Sequence, residues 1–397
     1  MSTASFPIPP QVDRLQRTAL MAGAAGLLAS LVGAFFQPEQ FFRSYLLGYL
    51  FWAGIPVGCL SLIMIHHLTG GIWGLVIRRL LEAGSRTVPL AALLFVPLAF
   101  GLSKVYVWAR PEAAADPIIH EKLPYLNVPF FLGRAVFYFL VWAALAHLLS
   151  KWSRDLDQGA NPRAERRLQG LSGGGLLLMG LTITFSAVDW GMSLNPHWFS
   201  TVYGVLFMVG QVLSTMALMI VLLAAMGHEQ PLAPAVRPSA VHDLGKLMLA
   251  FVMLWAYISF SQFLIIWSAN LPEEIPWYIQ RLHGGWQWVA LGLVFFHFAL
   301  PFLLLLSRDL KRNAALLGRV AAVVLVVRLL DLFWLIGPDL QGHHATHLSV
   351  HWMDLTAAVG LGGIWLFAFA RELKSRPLLP RDPELEEFMA APSHGGH

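Results

Sequence analysis

A single cysteine, Cys59, stands in 397 residues and lies within an apolar run. The chain by itself therefore builds neither a disulfide framework nor a CxxC cluster site, and iron–sulfur ligation by this chain is excluded. Charge is equally scarce. Asp, Glu, Lys and Arg make up 13% of the residues against 57% hydrophobic ones, about half the ~25% charged share of a soluble domain, which excludes a water-soluble globule. The net charge of +4 is not gathered into one basic run, so nucleic acid is not needed to account for it.

What is present is a series of apolar stretches near the ~20 residues a membrane crossing requires. They run from Thr18 to Phe36, Tyr45 to His67, Val88 to Trp108, Val128 to Leu149 and Leu171 to Met192, then Thr201 to Met226, Leu244 to Trp267, Trp286 to Leu306, Ala314 to Ile336 and Trp352 to Ala370. The fold expected is an all-α integral membrane protein of ten helices, one polytopic domain over 1–397. The first stretch is of spanning length and has no clean A-x-A-like site after it, so it reads as a mature helix rather than a signal peptide. Tryptophans, 15 in all, cluster near span ends as interfacial belts do. Lys and Arg outside the spans number 18 on one side and 4 on the other. The positive-inside rule then places both termini in the cytoplasm, and the expected location is a bacterial inner membrane. Residues 377–397, with three acidic residues in ELEEF, read as an exposed cytoplasmic tail.

Five basic residues remain inside spans: Lys104, Arg134, Lys246, Arg319 and Arg328. Lys246 and Arg319 lie close enough to the cytoplasmic ends to snorkel. Buried ionisable groups elsewhere cost several kcal/mol unless they are paired or face water. Lys104, Arg134 and Asp189 fall at one depth on the periplasmic side, and Thr182, Ser186, Asp189 and Ser193 share one helical face. This predicts a two-cation, one-anion cluster with a hydroxyl stripe leading to it, a place for a quinone head group or a proton path. Arg328 and Asp331 are i, i+3 neighbours in the ninth span. At similar depth stand His297, the stripe Tyr257, Ser261 and Ser268, and Gln211 and Thr215, with Asp354 near the periplasmic start of the tenth span. A structural reading stays open for both sets: buried ion pairs, and hydroxyls that only join helices.

A bis-histidine haem needs two histidines at one depth on facing helices. His66, His67 and His147 meet that at the cytoplasmic ends of the second and fourth spans, although LTGG after His67 reads more simply as a helix end. His343, His344, His347 and His351 lie in one periplasmic loop with few carboxylates nearby, and loop or partner contact is the simpler reading than metal. LSGGGLLLMG from Leu171 opens a membrane helix and follows no strand, so it reads as a close-packing surface and not as a nucleotide loop.

The stretches FSAVDWGMSLNPHWFSTVYG, Phe185 to Gly204, and IMIHHLTGGIWG, Ile63 to Gly74, resemble the NrfD/PsrC-like membrane subunits. Within that family they are similar to the ActF subunits of alternative complex III, the quinol:cytochrome c oxidoreductase of many bacteria. The resemblance covers nearly the whole chain and carries Asp189, Asn195, Pro196 and His197 onto the motif. It implies two four-helix bundles, 45–192 and 201–336, flanked by the first and tenth helices, with Asp354 adjoining the second bundle. It implies as partners a multihaem cytochrome c, iron–sulfur subunits and a paralogous NrfD-like subunit, beside which quinol is oxidised. The function expected is a subunit of such a complex that carries no redox cofactor, is surrounded by lipid and conducts protons through its polar clusters. Three alternatives stay open: a quinone-binding subunit at Lys104, Arg134 and Asp189, a secondary transporter, and a haem-bearing anchor.

Overall fold

A computed structural model describes residues 9–159, 162–341 and 347–391. Among the described residues there is no strand, and ten helices are long and apolar enough to cross a membrane. They are α1 (Pro10–Phe36), α2 (Pro38–Thr69), α3 (Ile72–Phe100), α4 (Val128–Asp157), α5 (Pro162–Trp190), α6 (Tyr203–Met226), α7 (Pro238–Ala269), α8 (Trp286–Leu306), α9 (Ala314–Gln341) and α10 (Trp352–Leu373). Asp13 at the start of α1 pairs with Lys374 just past α10. Both chain ends therefore lie on one face, the terminal face, and the opposite one is the distal face.

α2 and α6 are the most enclosed spans and pack on each other. Around α2 the pairwise contacts run from α2 to α3, α3 to α4, α4 to α5 and α5 back to α2. Around α6 they run to α7, α8, α9 and back. α1 and α10 pack together outside α2. Their approach depends on missing side chains: a Cβ on Gly26 would lie 2.7 Å from the Gly360 nitrogen and from the Thr356 carbonyl oxygen, a small-residue contact of the kind that lets membrane helices meet.

Four local features depart from expectation. α3 begins at Ile72 rather than Val88 and breaks once, after Ser85, where Pro89 helps start the second piece. Arg78, Arg79 and Glu82 are consequently buried helix residues and not a solvated loop. In the tail, Asp382 caps a helix, Pro383–Ala390, whose Leu385 is buried, so the described part of 377–397 is docked and not free. Its Leu385, Phe388 and Met389 supply the apolar side that docking needs. In the glycine-rich start of α5 only Gly175 meets neighbours, Met64 and Leu145, while Gly173, Gly174 and Gly180 have open space beside them. Asp354 belongs to the start of α10 and to α2: its carboxylate accepts from the His351 amide (2.9 Å) and from the Ser44 hydroxyl (2.5 Å). It forms a capping box, because a carboxylate three residues into a helix reaches back to the capping amide, and so it stands apart from Arg328 and Asp331.

Candidate functional site

α4 and α5 bring Arg134 and Asp189 face to face. The guanidinium donates from Nε (2.9 Å) and Nη2 (2.8 Å) to the two carboxylate oxygens, and the Tyr138 hydroxyl adds a third bond at 2.8 Å. Nη1 donates to the Tyr125 carbonyl at 2.9 Å, and the guanidinium lies 3.8 Å from the Tyr125 ring centroid. Asp189 is fully buried. Three of the five guanidinium N–H groups and both carboxylate oxygens are engaged, which is how an enclosed pair compensates its desolvation. The hydroxyl stripe exists, but it turns inward: Thr182 donates to the Leu178 carbonyl, Ser186 to the Ile183 carbonyl and Ser193 to the Asp189 carbonyl. Lys104 does not join. Because α3 ends at Phe100, Lys104 sits beyond the span, exposed on a short helix, Leu102–Val105.

The second constellation forms between α7, α8 and α9. Arg328 and Asp331 form an ion pair one turn apart, both buried, and Trp255 of α7 donates its indole N–H to Asp331 at 3.1 Å. Gly210 of α6 leaves the space the Arg328 guanidinium occupies. His297 stands edge-on to the Trp255 ring, 4.4 Å between centroids, fully buried, and neither ring nitrogen has a hydrogen-bond partner among the described residues. The local backbone explains its position. Val294–Ala299 is a π-helical turn, and Pro301, which lacks an N–H, cannot bond the His297 carbonyl. Such turns recur at functional sites. Gln211 keeps an unpartnered amide oxygen, whereas Thr215 bonds the Ile55 carbonyl across to α2. Tyr257 is exposed on the outer side of α7, Ser261 is half-buried, and Ser268 is exposed and bonds its own helix.

The histidines separate. His66 is buried against Trp73, His67 lies 3.1 Å from the Ser172 hydroxyl, and His147 is exposed on α4. His343 and His344 lie outside the described residues, His347 is exposed, and His351 caps α10. Among the described residues no group of three His, Cys, Asp or Glu side chains is arranged to hold a metal ion.

Two networks were not legible in the sequence. On the distal face Arg281, fully buried, donates to the Leu335 carbonyl and to Asp339, and Asn195 donates to the other Asp339 oxygen at 3.2 Å. Trp198 stacks on Trp277 at 4.5 Å. The Asn195–Trp198 turn thus joins the two halves on the distal face, beyond the α2–α6 contact. On the terminal face Glu82 takes bonds from Arg78, Arg79 and Ser153, Arg79 also pairs with Asp157, and Arg376 reaches both Glu82 and Ser150. Burial pulls Arg376 down to about 10. The RRxxE spacing within Arg78–Glu82 was the available signal, since i, i+3 and i, i+4 positions share a face.

These features define a polytopic α-helical membrane protein with several separate buried ionic centres, Arg134–Asp189 and Arg328–Asp331 among them. Neither family models nor curated proteins give a match to the sequence.

Proposed function

We propose that this chain is a cofactor-free membrane subunit of a quinol-oxidising electron-transfer complex, and that the α7–α9 centre exchanges protons while the Arg134–Asp189 centre holds its half of the molecule together. The observation that carries the proton role is His297, buried beside an ion pair with both ring nitrogens unpartnered. In either neutral tautomer it offers one donor and one acceptor. Membership of such a complex rests on the motifs Phe185–Gly204 and Ile63–Gly74. The 18 to 4 basic bias supports both termini in the cytoplasm, which puts Asp331 toward the periplasmic half. A cleft of about 460 Å³ lies beside the first centre, lined by Lys122, Tyr125 and Trp198 among others. A quinone at Arg134 itself is disfavoured, because both faces of the pair are occupied by Asp189 and the Tyr125 carbonyl, which engage Nε, Nη1 and Nη2.

The test is affinity purification of the tagged chain with an absorption spectrum and mass spectrometry of its partners, followed by reconstituted turnover of Asp331→Asn and His297→Phe variants. Co-purification of multihaem and iron–sulfur subunits, with proton-coupled turnover lowered about tenfold or more in both variants, is the expected result. Unchanged coupling in both variants refutes the proton role. A chain purified alone refutes the complex.

A further inference from the structure

Five Lys or Arg side chains are buried among the described residues: Arg78, Arg79, Arg281, Lys311 and Arg328. Four of them pair with a carboxylate, Arg78 and Arg79 with Glu82, Arg281 with Asp339 and Arg328 with Asp331. The Lys311 side chain makes no hydrogen bond or ion pair with any described residue. It belongs to a short helix, Arg308–Arg312, that joins α8 to α9 on the terminal face and packs on α7. Gly245 of α7 makes room for its stem: a Cβ there would lie 2.7 Å from Lys311 Cγ. The stem is enclosed, and the ammonium at its tip keeps an opening to the outside. An enclosed cation without a counter-charge is costly, and the anion that the fold does not supply has to come from outside it.

The surroundings add positive charge rather than cancel it. Lys246, Lys311 and Arg308 all act electrostatically on His242 of α7, so the four side chains share one patch. Arg312 adjoins it in the same short helix. Asp243 is already paired with Lys246 at 3.0 Å, and Asp309 stands two positions from Lys311, a spacing at which helical side chains do not face each other. Next to the patch the helix surfaces are apolar, with Leu303, Leu304 and Leu306 of α8 and Leu316 of α9 exposed.

We infer that this patch binds the phosphodiester of an acidic phospholipid. The Lys311 ammonium and the Arg308 and Arg312 guanidiniums donate to its oxygens, and the acyl chains lie on the exposed leucines. Basic clusters at the end of a membrane helix attract anionic head groups, and a basic side chain with an enclosed stem presents its charge at that level. Free phosphate meets the same donors but leaves the leucines uncovered. Phosphatidylcholine brings a further positive charge to the patch and is held less well. The site stands apart from both Arg134–Asp189 and Arg328–Asp331, and it holds whether or not the chain works in a complex.

The experiment uses the full-length chain in nanodiscs of mixed phosphatidylglycerol and phosphatidylcholine, with native mass spectrometry of the lipid retained on transfer to detergent. Retention of phosphatidylglycerol about tenfold above phosphatidylcholine is expected. Lys311→Met keeps the stem, removes the charge and lowers that preference about fivefold. Thermal melts show whether this variant folds; if it does not, the double variant Arg308→Gln, Arg312→Gln, at positions that are not buried, takes its place with the same expected loss. Equal retention of the two lipids by the unaltered chain overturns the proposal. So does an equal loss in the control Arg166→Gln, Arg167→Gln, whose exposed side chains lie elsewhere on the terminal face, because the attraction is then diffuse. Inorganic phosphate that displaces phosphatidylglycerol at equimolar concentration overturns the lipid as occupant. A preference lost in Lys311→Met and kept in the control upholds it.

Discussion

The Arg134–Asp189 and Arg328–Asp331 centres are built from the same kind of pair and differ in what surrounds it. Around Asp189 the Arg134 guanidinium and the Tyr138 hydroxyl supply three short bonds, and Arg134 Nη1 donates to a backbone carbonyl. Around Asp331 one guanidinium and one indole suffice, and His297, Ser259 and Gln262 nearby keep unpartnered atoms. A fully satisfied polar network gives rigidity, whereas a partly satisfied one retains capacity to bind or to pass a proton. The closed centre lies in the α2–α5 half and the open one in the α6–α9 half.

Removing the anion of the closed centre has the largest expected effect. Asp189→Asn leaves the half-buried Arg134 without its counter-charge and costs about 3 kcal/mol, read as a fall in the melting temperature of the detergent-solubilised chain. A melt indistinguishable from the parent removes the structural role assigned to this pair. Next, Gly210→Ala places a methyl group where the Arg328 guanidinium lies and costs about 1–3 kcal/mol through overpacking. This tests whether the open centre is still tightly packed on its α6 side.

The sharpest contrast comes from two near-isosteric changes. Tyr138→Phe removes a hydrogen bond to a buried carboxylate and lowers stability by about 1–3 kcal/mol. His297→Phe removes none and leaves stability within about 1 kcal/mol of the parent, while slowing proton-coupled turnover. Equal stability losses from the two changes contradict the division into closed and open centres.

The smallest effect belongs to the distal surface, where His197 holds the Asp116 carboxyl below its ordinary value of about 3.8. A depressed carboxyl contributes stability above its unfolded value and loses it as pH falls through the lower folded value. Melts of the parent and Asp116→Asn should therefore differ slightly at pH 5 and converge as the pH drops below about 3.8. Curves that stay parallel through that range remove the contact from the account.

Composition and spacing determined a great deal here. Ten apolar runs and few charges demand a helical membrane protein, because backbone polar groups in lipid must be satisfied within each segment, and ten such helices are present among the described residues. Arg134 facing Asp189, and Arg328 facing Asp331, follow from depth and helical spacing. Partner choice in three dimensions did not follow. Lys104 matched its neighbours in depth, but α3 begins at Ile72 and ends at Phe100, which no hydropathy window registers. Asp354 has a capping role set by its distance from His351 and a partner, Ser44, that only the packing of α10 on α2 supplies. Arg281 and Asp339 sat in segments that read as loop and span end, and their burial arises only where the Asn195 turn closes the distal face. Period and polarity act along the chain and are visible in it. Which side chains meet, and which polar atoms are left without a partner, depends on helices distant in sequence, and tertiary packing alone decides it.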